Sequence, residues 1–142
     1  MSEALTPPFA TKVAILVRDD LEAWQKLNVT AFLASGLAAA NPDLVGEAYR
    51  DGSGQDYLAL LGIPVLVFAA SGETLTAARE RAVGRGIPLA VYTREMFSTG
   101  HDAANRAVVA DVPSDRLDLV GLALHGPKNA VDKVVKGARL HP

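Results

Sequence analysis

Four short stretches of the chain are apolar at nearly every position, and longer mixed segments separate them. They are residues 12–17 (KVAILV), 64–70 (PVLVFAA), 88–92 (PLAVY) and 118–125 (DLVGLALH). The first is rich in β-branched residues, and each is bounded by charge, Gly or Pro, which predicts strands buried on both faces. Between the first two, residues 24–40 are Ala- and Leu-rich. Leu27, Ala31, Ala34 and Ala38 recur there at helical spacing, so a helix packing through that stripe is expected. Asn41-Pro42 ends it, because the residue before proline is pushed out of the α region.

Residues 46–61 place Asp51-Gly52-Ser53-Gly54 between two segments that each carry a Tyr, the pattern of a β-hairpin insertion. Ser71 precedes a second helix as its cap, with Leu75, Ala78, Ala82 and Val83 expected inward and Arg79, Glu80, Arg81 and Arg85 outward; Gly84 or Gly86 stops it. Residues 94–116 read as an irregular insertion containing a short helix over 102–110. Lys128–Lys136 is a helix with Val131, Val134 and Val135 inward, and residues 138–140 form a terminal strand. Strands alternating with helices predict one α/β domain over 1–142, with a leader at 1–11. Its architecture is three layers, α/β/α, around a small, mostly parallel mixed sheet. Ligands of such sheets sit beyond the carboxyl ends of the strands, so RDDL after the first strand and TREMFSTGHD after the third become the places to look.

Composition narrows the chemistry. Without cysteine, the chain of 142 residues has no disulfide, thiolate nucleophile or Cys-ligated metal. Three histidines without metal-ligand spacing predict no metal, and no phosphate-binding glycine loop or other cofactor motif is present. A net charge of −2 gives no global field for nucleic acid. The basic stretch 128–139 reads as a solvated helix face. No apolar run approaches the ~20 residues of a membrane helix, and the first residues lack the pattern of a signal peptide. The expectation is a cytoplasmic, bacterial-type protein without membrane contact.

The candidate site residues fall in two clusters. In the first, Lys26 would fix an anion or a developing oxyanion, with Asp19 and Asp20 orienting it or accepting a proton, and Asn28 and Thr30 lining the pocket. The plainer alternatives are a surface lysine, helix-start acids favoured by the dipole, and a threonine bonded back to its own helix. In the second, Glu95, Ser98, Thr99, His101 and Asp102 offer two acids, two hydroxyls and an imidazole within one loop, and Arg106 adds a planar fork for a carboxylate or phosphate. His101 and Asp102 are adjacent, so they do not by themselves make a triad. A hydrogen-bonded structural loop is the competing reading. Tyr49 and Tyr57 mark the hairpin as a dimer arm, and a homodimer is expected.

In the order of its segments the chain resembles the type 2 peptidyl-tRNA hydrolase fold. KVAILVRDDL is similar to that fold's opening strand, and Lys26 stands where the family has its helix-start lysine. Residues 62–93 resemble its strand–helix–strand. REMFST is similar to its loop with an acid and, four residues on, a Thr, and residues 119–140 resemble its closing strand, Gly-Pro and helix. The resemblance implies an ester hydrolase acting on peptidyl- or acyl-tRNA, with Lys26, Glu95 and Thr99 catalytic. Asn28, Val29, Thr30 and Leu33 occupy positions where the enzymes carry Ala-Ala-Gln and a His. The chain therefore looks more like a bacterial family of unknown function, DUF2000-type, that shares the fold. Two functions follow. One is a domain binding a small molecule at the carboxyl-end rim, the other an ester hydrolase, and tRNA is the less favoured partner.

Overall fold

The computed structural model describes residues 9–142, so most of the expected leader lies outside the described residues. In chain order the elements are β1 (Thr11–Arg18), α1 (Ala23–Ala40), the hairpin strands β2 (Tyr49–Arg50) and β3 (Asp56–Tyr57), β4 (Val65–Ala70), α2 (Gly72–Gly84), β5 (Leu89–Thr93), α3 (Asp102–Ala110), β6 (Leu119–Pro127), α4 (Lys128–Val134) and β7 (Arg139–Leu140). Each apolar run thus forms a strand, β6 running on through Gly126-Pro127. Five strands form one mixed sheet in the order β5-β6-β1-β4-β7, and β2 and β3 pair separately as the predicted hairpin.

The sheet is not mostly parallel. Among the described residues only β1 and β4 are parallel neighbours; β6 runs antiparallel to both β1 and β5, and β7 antiparallel to β4. An unbroken apolar run records burial on both faces, and a central antiparallel strand such as β6 is buried just as fully. Nor is the β5–β6 connection a crossover. Thr93 lies opposite Leu119 and the Arg94 N–H donates to the Asp118 carbonyl at 2.9 Å. Residues 94–118 are therefore an excursion whose two ends meet. Because β5 and β1 both oppose β6, they share a direction with β4, and three carboxyl ends lie on one margin.

Helices cover both faces. Side chains alternate along β1: Ala14 and Leu16 face α2 and α4 together with Leu122 and Leu124. Val13, Ile15 and Val17 face α1 with Val120 and Ala123. Ile15, Leu16, Leu122 and Leu124 are fully buried, each worth roughly 1.5–3 kcal/mol in surface removed from water.

The packing stripe of α1 differs from the expected one. Val29, Leu33 and Leu37 are buried, while Leu27 is 72 % exposed. The helix is apolar on most faces, so several stripes fit its sequence, and the bulkiest one seats against the sheet. Val29 and Leu33 occupy the space over Gly121, where a Cβ would stand 2.9 Å from Leu33 Cδ1. In α2, Leu75, Ala78 and Ala82 are buried as expected, but Val83 is 56 % exposed; it lies one residue, about 100°, beyond the buried edge. Ser71 caps this helix by accepting from the Thr74 N–H.

Candidate functional site

A cleft of about 700 Å³ opens between α1, β5 and the 94–118 excursion. The start of α1 fixes its first wall. The Glu22 N–H donates to Gln25 Oε1 at 3.0 Å, and Trp24 Nε1–H donates to the Glu22 carboxylate at 3.1 Å, which orients the indole. Trp24, Asn28 and Phe32 follow one another every fourth residue and so share one helix face. Tyr92 from β5 and Phe97 from the 3₁₀ turn Arg94–Ser98 form the floor. The rings pack as a chain: Trp24 meets Phe97 edge-on at 5.8 Å between centroids, Phe97 meets Tyr92 at 5.2 Å, and Tyr92 meets Phe32 at 5.9 Å. Trp24 and Phe32 remain more than half exposed, so this aromatic surface faces open space.

The opposite wall is α3 and the turn before it, with Thr99, His101, Asn105, Arg106 and Val109. His101 caps the helix: its Nδ1 accepts from the Ala104 N–H at 3.2 Å. A neutral imidazole carries one proton, so here it sits on Nε2. The Thr99 hydroxyl reaches the Met96 carbonyl at 2.9 Å and touches the Asn105 side-chain amide. Arg106 pairs with Asp102 one turn earlier through a single guanidinium nitrogen. Burial pushes the Tyr92 hydroxyl above its ordinary pKa, and Asn28 beside it works in the other direction.

Of the residues singled out from sequence, Asn28, Thr99, His101, Asp102 and Arg106 line this cleft. Lys26 does not. It lies two positions along from both Trp24 and Asn28, about 200° around the helix, and its ammonium donates to His141 Nε2 at 3.2 Å. His141 follows β7, at the edge of the sheet opposite β5, so α1 itself stands between Lys26 and Thr99. Thr30 bonds back to the Lys26 carbonyl at 2.7 Å. Asp19 stands 3.9 Å from Arg139 on the β7 side. Glu95 and Ser98 point to solvent from the 3₁₀ turn. The trio Lys26, Glu95 and Thr99 is therefore not assembled.

Asp20 belongs to an anchoring network instead. Arg18, largely covered, donates to Asp20 and Asp118 at 3.1 Å each and to the Leu119 carbonyl at 3.2 Å. Arg94 adds a bond to Asp118 at 3.1 Å. The Arg18 guanidinium holds the Asp20 carboxyl below its ordinary range. This network clamps both ends of the excursion to the end of β1. Among the described residues no three His, Asp or Glu side chains gather to hold a metal ion, and no helix is long and apolar enough to cross a membrane.

Sequence reasoning missed Trp24, Phe32, Tyr92, Phe97 and Asn105 as site residues. The spacing Trp24-x₃-Asn28-x₃-Phe32 was the available signal, since large rings and an amide on one face of a helix leave it poorly suited to an ordinary core.

Residues 11–142 match the family described as protein of unknown function (DUF2000). The chain belongs to this family. A structure from Agrobacterium tumefaciens strain C58, the protein of unknown function Atu0240, is similar to this DUF2000 chain with a TM-score of 0.93 and 47 % sequence identity, over 95 % of this chain and 100 % of that one. No curated protein matches.

Proposed function

We propose that this DUF2000 protein binds a small organic molecule in the cleft between α1, β5 and α3. The observation that carries the reading is the open chain of four rings facing a polar wall, in a volume typical of small-molecule sites, roughly 300–1,000 Å³. The cleft adjoins the carboxyl end of β5, on the margin shared by β1 and β4. The colinear segments support kinship with the type 2 peptidyl-tRNA hydrolase fold, and Thr99 is the one residue of the implied catalytic set inside the cleft. Ester hydrolysis through Lys26 and Glu95 would need side chains that face away from it, so binding is the preferred reading. The test is a thermal-shift screen of small molecules on the wild type and on Val109→Trp, which fills the cleft from α3 without entering the core. A ligand that prefers the native state raises its melting temperature. Shifts seen in the wild type should vanish in the variant; shifts of equal size in both would refute the site.

The hairpin supports a second element of the reading, a homodimer. Leu58 is 89 % exposed, and Tyr49, Tyr57 and Leu60 are more than half exposed. Several polar groups of the arm pair with one another: Arg50 bonds Asp56 at 2.7 Å and Tyr57 bonds Asp51 at 2.8 Å. What the arm offers a partner includes these exposed rings and leucines, and apolar surface is the character of permanent homo-oligomer interfaces. A stable dimer buries roughly 800 Å² per partner, so the two arms would pack together with the surfaces they cover.

A further inference from the structure

We propose that the molecule taken by the cleft is a small aromatic acid, a ring carrying a carboxylate. This rests on the cleft being a ligand site and adds which chemistry it selects. The ring half follows from the walls. Trp24 and Phe32 present exposed faces on α1, Tyr92 and Phe97 close the floor, and a planar apolar body stacks against such a surface better than a branched one.

The acid half follows from hydrogen-bond accounting on the opposite wall. The capping bond to the Ala104 N–H occupies His101 Nδ1, so the imidazole offers a donor, Nε2–H. Arg106 spends one nitrogen on Asp102, and the rest of its five-donor fork has no partner among the described residues. At the floor, the Tyr92 hydroxyl has Asn28 as its neighbour and a proton to give. Asp102, the one charged acceptor on this wall among the described residues, is engaged by Arg106. A carboxylate, which only accepts, suits a cleft lined by these donors. An ammonium would meet an ion pair already made and a donor-bearing imidazole. The exposed rings could instead hold a cation over their faces, and the experiment sets the two against each other on one scaffold.

The probes are phenylacetate, phenylacetamide and phenethylamine, titrated calorimetrically into the intact protein at neutral pH. Phenylacetate should bind about tenfold or more tightly than phenethylamine, with the amide between. Arg106→Gln and His101→Asn should each narrow the acid-to-amine ratio about tenfold. Asn is a good N-cap, so the second variant removes the imidazole donor while keeping α3 capped. Phenethylamine binding as well as or better than phenylacetate would overturn the inference. So would failure of all three probes while other molecules give shifts that Val109→Trp abolishes, because the cleft would then stand without this selectivity. If Val109→Trp abolishes no shift, the site itself falls.

Discussion

Lys26 is the residue whose chemistry and position part company. A lysine early in the first helix was legible as an anion site from its sequence neighbours, but which flank of α1 it occupies depends on how the helix is rolled, and α1 is apolar enough to be rolled several ways. Once Val29 and Leu33 seat over Gly121, Lys26 turns to the β7 edge. There it clamps the chain end through His141, which also donates its backbone N–H to the Val67 carbonyl at 2.9 Å. Because an ammonium only donates, His141 Nε2 is the acceptor and Nδ1–H faces the Pro142 carbonyl. Lys26→Met should therefore lower stability by about 1 kcal/mol, the net value of one part-buried hydrogen bond. Chemical denaturation would measure that, and affinity for any cleft ligand should stay unchanged in the same protein. Three of the loop residues were easier to read: Thr99, His101 and Arg106 were named from the side-chain chemistry of that stretch, Thr99 also from the resemblance, and line one cleft, since a short helix with a capped start holds them in register, whereas Glu95 and Ser98, named with them, are exposed outside it.

At the scale of elements, the seating of α1 on the sheet depends on the missing side chain at position 121. Gly121→Ala would press its methyl into Val29 and Leu33, and overpacking of this kind costs about 1–3 kcal/mol. Equilibrium unfolding should show that loss, and the cleft should weaken with it because Trp24, Asn28 and Phe32 ride on the same helix. The excursion 94–118 is held by charge at its base. Asp20 has its pKa lowered from 3.8, mainly by its bond to Arg18. A depressed carboxylate pKa contributes stability that is complete above the unfolded value and lost as pH falls through the folded one. The excursion should thus loosen below pH 3.8, seen as faster hydrogen exchange at the Arg94 and Leu119 amides while β1 stays protected. None of this anchoring was visible in the sequence, where Arg18, Asp20, Arg94 and Asp118 read as unrelated charges. The strands and the capped helices were visible, because apolar runs, Ser71 and Asn41-Pro42 act locally.

For the whole molecule, two-sided burial of the sheet was legible and strand direction was not. Apolar runs report how deeply a strand lies, whereas direction is set by where the connections return, and the 94–118 segment returns beside its own start. The arm was legible as a hairpin from its turn residues, and its exposed leucines give it a consequence in solution. Light scattering should find twice the 14.9 kDa chain mass for the wild type at micromolar concentration, and Leu58→Asp with Leu60→Asp should give the single mass with unchanged circular dichroism. A single mass for the wild type would remove the dimer. Ligand chemistry belongs to the β5 flank of α1 and not to the Lys26 flank on the reading proposed above. An NMR titration of ¹⁵N-labelled protein with phenylacetate tests it most directly, because the chain's only tryptophan lies on the cleft wall. The Trp24 indole N–H and the Asn28 and Asn105 side-chain amides should shift together and saturate at one affinity while the backbone amides of Arg139 and His141 stay still. Shifts gathered around His141 and Arg139, with Trp24 unmoved, would contradict it.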